Sequence, residues 1–245
     1  MTAFGAPVAE ALVASLAPGS GDTVLDLAAG TGDVTEALAK QGARVISTDL
    51  SPVMVEAARR RGTPGVEHRV MDMQAIDLPD DSVDGVVSRY GYMLLPDTAR
   101  ALRETRRVLR PGGRLAFATW APAKLNPWAT AYGPVLIERG LLEPPQPDEP
   151  GQFSLGEPER IEELVRGAGF DELSVAEVPV VFRPSGWAEY RRIVSALAAS
   201  MREVLERLDD ETRAEVDDAA KARIEPFRSG EGYALPGITL VTTAR

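Results

Sequence analysis

The sequence predicts an α/β fold: a doubly wound, mostly parallel sheet of seven strands, with helical cap insertions after the fifth strand and between the sixth and seventh. Short β-branched runs alternate with helical periods through the first half, the pattern of a parallel sheet covered by helices. The run Thr23–Ala28 ends in a small-residue turn that feeds a helix, as at the carboxyl end of such a sheet. After Trp120 the texture changes: prolines crowd in, Pro144, Pro145 and Pro147 among them, and helical periods take over.

The 245 residues suit one large domain with insertions and bury a substantial core without staples. Zero cysteine excludes a disulfide scaffold, a thiol nucleophile and thiolate-held metals, and a single histidine disfavours a His-rich metal site, so no metal is expected. The formal charge of −10, from 27 Lys+Arg against 37 Asp+Glu, argues against a nucleic-acid partner. Apolar runs are too short to span a membrane. The first residues lack the basic and apolar regions of a secretory signal, so a cytoplasmic location is expected. Oligomeric state is not readable.

The elements follow in order. A helix over Ala6–Leu16 precedes strands at Thr23–Ala28, Arg44–Asp49, Glu67–Met71, Val83–Arg89 and Arg114–Trp120. Ser51-Pro52 reads as an N-cap with proline at N1, opening a helix through Arg61 that Gly62 stops. Asp97 caps the next helix, to about Leu109, and Arg110-Pro111-Gly112-Gly113 reads as a stop and turn. Helices are expected over Trp128–Arg139 and Glu157–Gly167, then a strand over Leu173–Arg183. Two helices' worth of sequence fills 187–225. Tyr190, Ile193, Val194, Leu197, Met201, Val204, Leu205 and Leu208 recur there at three- and four-residue steps, a buried stripe of the cap. Gly237–Thr243 returns as the last strand.

The chemistry concentrates in Thr23-Val24-Leu25-Asp26-Leu27-Ala28-Ala29-Gly30-Thr31-Gly32-Asp33. Glycines after a strand let a ligand approach the backbone, and Asp49, ending the second strand, is a carboxylate for ribose hydroxyls. Dinucleotide and adenosyl sites share that pattern, and charge separates them. A pyrophosphate needs the helix N-terminus, which Asp33 occupies, and Thr35 stands where the third glycine of the dinucleotide fingerprint belongs. Asp26, Asp33, Asp49 and Asp72 converge on the sheet's carboxyl end, and each close phosphate–carboxylate pair costs about 1–4 kcal/mol. A cationic sulfonium ligand without phosphate fits better.

The chain here resembles the class I S-adenosylmethionine-dependent methyltransferases, the branch of the ubiquinone/menaquinone-biosynthesis enzymes in particular. The matching pieces are Val24–Asp33; Thr48-Asp49-Leu50-Ser51-Pro52 with Met54; Asp72-Met73-Gln74 with Leu78-Pro79 and Ser82-Val83-Asp84; and Val108–Gly113. The resemblance covers roughly residues 20–120 and implies a Rossmann-like methyltransferase domain over 1–245. Its cofactor-binding core would be 1–120, with cap insertions over 121–156 and 184–232. It implies S-adenosylmethionine as cofactor, with S-adenosylhomocysteine as product. Ala28, Ala29, Gly30, Thr31 and Gly32 would face its methionine and ribose portions, with Asp26 near the ammonium. Asp49 would hold the ribose, Leu50 and Met54 would flank adenine, and Asp72 with Met73 would take the adenine amine. Ser88 and Arg89 would lie near the sulfonium and the acceptor.

The expected reaction is methyl transfer to oxygen, carbon or nitrogen of a small-molecule acceptor, by in-line displacement. Ser88-Arg89-Tyr90-Gly91 stands where amide- and adenine-directed relatives carry [Asn/Asp]-Pro-Pro-[Tyr/Phe], which lowers those acceptors. Tyr90, Tyr92 and His68 are the candidates for a general base, though His68 falls in an edge strand away from the carboxyl end, where a structural role is favoured. Tyr90, Trp120, Trp128 and Tyr132 are candidates for an aromatic acceptor pocket. Arg183 and Arg191 are cations available to an acidic acceptor, although surface positions account for both. The alternatives are a cyclase-like enzyme using the bound sulfonium without transfer, a nicotinamide-dependent oxidoreductase, and a non-catalytic binding module.

Overall fold

The computed structural model describes residues 4–146, 149–197 and 199–245. Pro147 of the proline run lies outside them. In chain order the elements are α1 (Ala6–Leu16), β1 (Thr23–Asp26), α2 (Asp33–Lys40), β2 (Arg44–Asp49), α3 (Pro52–Arg60), β3 (Val66–Val70), β4 (Val83–Arg89), α4 (Thr98–Val108) and β5 (Leu109–Trp120). There follow α5 (Tyr132–Glu138), α6 (Pro158–Gly167), β6 (Leu173–Phe182), α7 (Trp187–Leu197), α8 (Ala199–Arg207), α9 (Asp210–Ile224), β7 (Arg228–Ser229), β8 (Gly232–Tyr233) and β9 (Leu235–Ala244).

Seven strands form one sheet in the order β3-β2-β1-β4-β5-β9-β6, as the fold class predicted. The pairs from β3 to β5 are parallel, and β9 runs antiparallel to β5 from Leu115↔Ala244 to Trp120↔Thr239. The strand order reverses direction beside β1 and β4, so the carboxyl ends of these two strands flank a crevice, the usual ligand position in such sheets.

Local chemistry accounts for the boundaries. The Ser51 hydroxyl accepts from Met54 N and Pro52 sits in the first turn of α3; the Asp97 carboxylate accepts from Arg100 N to cap α4. Arg110–Gly113 does not stop the chain. Val83 pairs with Leu109 and Gly85 with Arg114, so these residues bulge out of a strand that continues on both sides. Helix α5 starts at Tyr132 rather than Trp128, because Asn126 turns the preceding segment: its carbonyl accepts from Ala129 N and its side chain from Trp128 Nε1. Over 187–225 the described residues are helical in α7, α8 and α9, the last opened by Asp209, whose carboxylate accepts from Thr212 N. Of its apolar stripe, Tyr190, Val194, Met201 and Leu205 are buried, but Leu197 is exposed.

The chain divides into two compact units. The first comprises 1–121, 148–178 and 239–245; the second comprises 122–147 and 179–238, against insertions expected over 121–156 and 184–232. In the first, α1 packs Val8, Ala9, Leu12 and Leu16 against β4, β5 and α2. In the second, α5 packs on α9. Among the described residues no helix is long and apolar enough to cross a membrane.

Candidate functional site at the carboxyl ends of strands 1, 2 and 4

Strand β1 delivers Asp26, buried, into the first turn of α2. There the Thr35 hydroxyl donates to its Oδ2 at 2.5 Å, with Ser47 Oγ 3.1 Å from the same hydroxyl. Asp26 Oδ1 is buried with no hydrogen-bond partner. Burial lifts this carboxyl to about 7, with the Thr35 bond and the charge of Arg89 pulling the other way. A buried acid kept one bond short of satisfaction accommodates a cation or donor.

The turn after β1 is shaped by its backbone. Ala28 has φ +54°, Gly30 +56° and Gly32 +86°; only the glycines adopt this region without a side-chain penalty. Ala29 N–H donates to Thr48 O and Gly32 N–H to Ala29 O, fixing the loop to β2. A Cβ on Gly30 would meet nothing within 4 Å, so its outer side is open to a ligand. Asp49 accepts from Gly30 N at 2.9 Å through Oδ2 and from Ser51 N at 2.9 Å through Oδ1. It thereby ties the glycine turn to the start of α3 and keeps lone pairs for further donors.

Beyond Asp49 the surface becomes apolar without being buried: Leu50 is 69% exposed and Met54 43%. That suits a flat ring lying on the first turn of α3. Asp72 turns Oδ1 toward Gln74 N at 2.8 Å, and Met73 is buried.

Strand β4 brings the second wall. Ser88 is fully buried and its Oγ has no partner. The next residues bend sharply: Tyr90 has φ +67°, a strained value for an aromatic residue. It is held there by Tyr90 N–H to Ala118 O, by its hydroxyl 2.9 Å from Thr239 Oγ1, and by stacking on Trp120 at 4.5 Å. Trp120 stacks in turn on Phe4 at 5.6 Å. A Cβ on Gly91 would lie 2.6 Å from Ser88 Oγ and 2.8 Å from Ala28 Cβ, so only glycine lets the ends of β1 and β4 close on each other.

The sequence reading missed Gly91, and missed the partners of Asp33. Arg61 donates to Asp33 Oδ1 at 2.6 Å and to Thr31 O at 3.1 Å, and Arg89 donates to Asp33 Oδ2 at 3.2 Å. Burial raises the Asp33 carboxyl, but these two guanidinium bonds outweigh it and hold the pKa below the ordinary value. Of the four acids expected to converge here, Asp33 is thus offset by two guanidinium groups. Arg89 spends its guanidinium on Asp33 and, at 3.5 Å, on Gly5 O, a structural link from α2 to the segment before α1. No short sequence signal marks Arg61 for this role, since its partners stand some 30 residues upstream.

Three candidates for a base fall away. His68 lies in edge strand β3 opposite Ser47, short of the carboxyl end, and burial followed by the charge of Arg59 lowers its pKa. Tyr92 is buried in the core against Phe117, its hydroxyl 2.6 Å from Thr105 in α4. Burial raises the Tyr90 and Tyr92 phenols well above their ordinary value, the opposite of what a base needs. The aromatic residues expected to line a pocket fall in both units. Tyr90 and Trp120 stand beside the crevice, whereas Trp128 and Tyr132 belong to the second unit. Trp128 is buried against Gly237, with Nε1 donating to Asn126 Oδ1 at 3.0 Å. Tyr132 donates to Asp217 Oδ1 at 2.7 Å, and burial with that carboxylate raises its pKa. Among the described residues no three acidic or histidine side chains gather as a metal site.

Residues 25–117 match the family model described as a methyltransferase domain. A demethylmenaquinone methyltransferase of Mycobacterium sp. (strain KMS) is 38% identical over 125 residues, 51% of this chain and 53% of that protein. The uncharacterized protein Rv1405c of Mycobacterium tuberculosis is 39% identical over 118 residues, 47% of this chain and 43% of that protein. The chain thus spans about half the length of the curated relatives it matches. The crystal structure of YcgJ from Bacillus subtilis has the same fold, with a TM-score of 0.65 at 16% identity over 96% of both chains. Residues 25–117, which carry the glycine turn, Asp49 and the bend after β4, thus match a methyltransferase domain.

Proposed function

We propose that the protein transfers the methyl group of S-adenosylmethionine to a small-molecule acceptor. The observation that supports this best is the pair of buried, unpartnered atoms, Asp26 Oδ1 and Ser88 Oγ, at the ends of adjacent strands beside a glycine turn open to solvent. The residues fit the cofactor. Asp26 would meet its ammonium, Asp49 would accept the ribose hydroxyls, exposed Leu50 and Met54 would cover the adenine, and Asp72 with Met73 would border its amine. When bound, S-adenosylmethionine supplies an activated methyl group, open to in-line displacement with a neutral thioether leaving.

The chain's own contribution is alignment and exclusion of water. Tyr90, pinned at φ +67° between Trp120 and Thr239, presents a fixed aromatic wall that orients an acceptor. With His68, Tyr90 and Tyr92 unsuited as bases, an acceptor already deprotonated or bearing a free lone pair is the one this site serves. The acceptor would be a small molecule rather than nucleic acid, given a net charge of −10.

Calorimetric titration of S-adenosylhomocysteine tests the cofactor site, with NADH as control. Micromolar binding lost in Asp49→Ala supports it; NADH binding in its place would revive the oxidoreductase alternative. Mass spectrometry of acceptors after incubation with labelled methyl donor then tests transfer. A gain of one methyl group supports the reading, and cofactor binding with an altered but unmethylated product would point to a cyclase-like activity.

A further inference from the structure

The second unit carries a groove of about 430 Å³ that the methyl-transfer reading leaves unused. That volume is in the range of small-molecule sites. Its walls follow from helical spacing. On α7, Ala188, Arg191, Arg192 and Ser195 fall at three- and four-residue steps on one side, while Tyr190 and Val194 are buried on another. On α8, Arg202, Leu205 and Glu206 extend the lining at the same three- and four-residue steps, and α9 adds Arg213.

Four guanidinium groups against one lining carboxylate is a concentrated positive charge on a chain whose net charge is −10. The existing ion pairs are loose. Arg191 lies 3.3 Å from Asp217, an acid that also accepts from Tyr132; Arg192 lies 3.8 Å from Glu189; Arg202 lies 3.9 Å from Glu206. Each pair engages one of the five donors a guanidinium carries. Arg213 has no carboxylate partner among the described residues. Its Nε donates to Leu205 O at 3.1 Å and its Nη2 to Leu208 O at 2.9 Å, which anchors the group while leaving its charge uncompensated. The lining also includes Ala188 and Leu205.

We propose that this groove binds a small organic acid, a carboxylate carried on an apolar body. The carboxylate is held by the arginine set, with Arg213 as the fixed anchor, and the apolar body lies against Leu205 and Ala188. Fork-shaped guanidinium groups match a carboxylate in two-point contact, and their charge selects against cations of the same shape.

Octanoate is the probe, titrated by calorimetry into the full chain, with octan-1-ol and octylammonium as matched neutral and cationic controls. The expected result is one saturable, salt-sensitive octanoate site, with octanol at least about tenfold weaker and octylammonium silent. Arg213→Gln and Arg202→Glu should each weaken octanoate about tenfold or more, while S-adenosylhomocysteine affinity stays within about twofold. Arg202 is half exposed, so its variant keeps the test valid if Arg213→Gln destabilises the helices. Octanol binding as well as octanoate, octanoate affinity unchanged in Arg202→Glu, or no octanoate binding at millimolar concentration would each overturn the proposal. The site is independent of the methyl donor, so failure at one leaves the other standing.

Discussion

Replacing Asp26 with asparagine should stabilise the folded protein in alkali and weaken its cofactor site. Asp26 is buried, with one oxygen bonded to Thr35 and the other to nothing. Burial is the largest influence on its carboxyl and lifts the pKa from 3.8 to about 7. The folded chain therefore holds a proton that the unfolded chain has already released, so stability falls as pH rises through this interval. The stabilisation is complete below about pH 4 and lost as pH passes 7, a total of about 4 kcal/mol at about 1.4 kcal/mol per unit. Asparagine keeps a carbonyl for the Thr35 hydroxyl and has no charge to bury. Its amide meets no acceptor where Oδ1 meets no donor, at a cost of about 1–3 kcal/mol that does not vary with pH. Urea unfolding of both proteins at pH 5 and pH 8.5 isolates the titrating part, because every other group cancels in the difference. Asparagine should gain about 3 kcal/mol on the wild type between those pH values. An equal difference at both would mean that Asp26 is ionised and satisfied in the folded state, and would refute the reasoning. The same substitution should weaken S-adenosylhomocysteine about tenfold or more, since the ligand's ammonium loses its counter-charge.

Asp49→Ala removes the acceptor for Gly30 N–H and Ser51 N–H, and should cost about 1–3 kcal/mol in urea unfolding together with at least tenfold in S-adenosylhomocysteine affinity. Asp49→Asn, which keeps one acceptor, should lose affinity with a smaller fall in stability. Gly91→Ala places a methyl 2.6 Å from Ser88 Oγ and 2.8 Å from Ala28 Cβ, and should destabilise by about 1–3 kcal/mol; an unchanged unfolding midpoint would show that the strand ends are not closed on each other. Tyr90→Phe and His68→Ala should each lower kcat by less than about tenfold, and a loss beyond about 10⁴-fold in either would establish general-base chemistry there.

The glycine turn, Asp49 and the strands that carry them were legible because they answer to local rules. A φ of +86° at Gly32 demands glycine, a carboxylate capping Ser51 N–H stands two residues before it, and β-branched runs mark buried parallel strands. What stayed hidden depends on residues distant in sequence. Arg61 reaches Asp33 across 28 positions, and without that contact the four acids read as one repelling field. Tyr92 follows the bend after β4 as closely as Tyr90 does, yet the next turn carries it into the core toward Thr105, and only the packing of α4 decides that. The two-residue strands β7 and β8 are too short to show an alternation at all. In the second unit the apolar stripe along α7 and α8 identified a buried face, but the arginines elsewhere on these stretches acquire meaning only once α9 adds Arg213 beside them. The glycine turn is a backbone feature and leaves a contiguous signature, whereas the groove collects side chains distant in sequence, so periodicity locates the helices without revealing what they line.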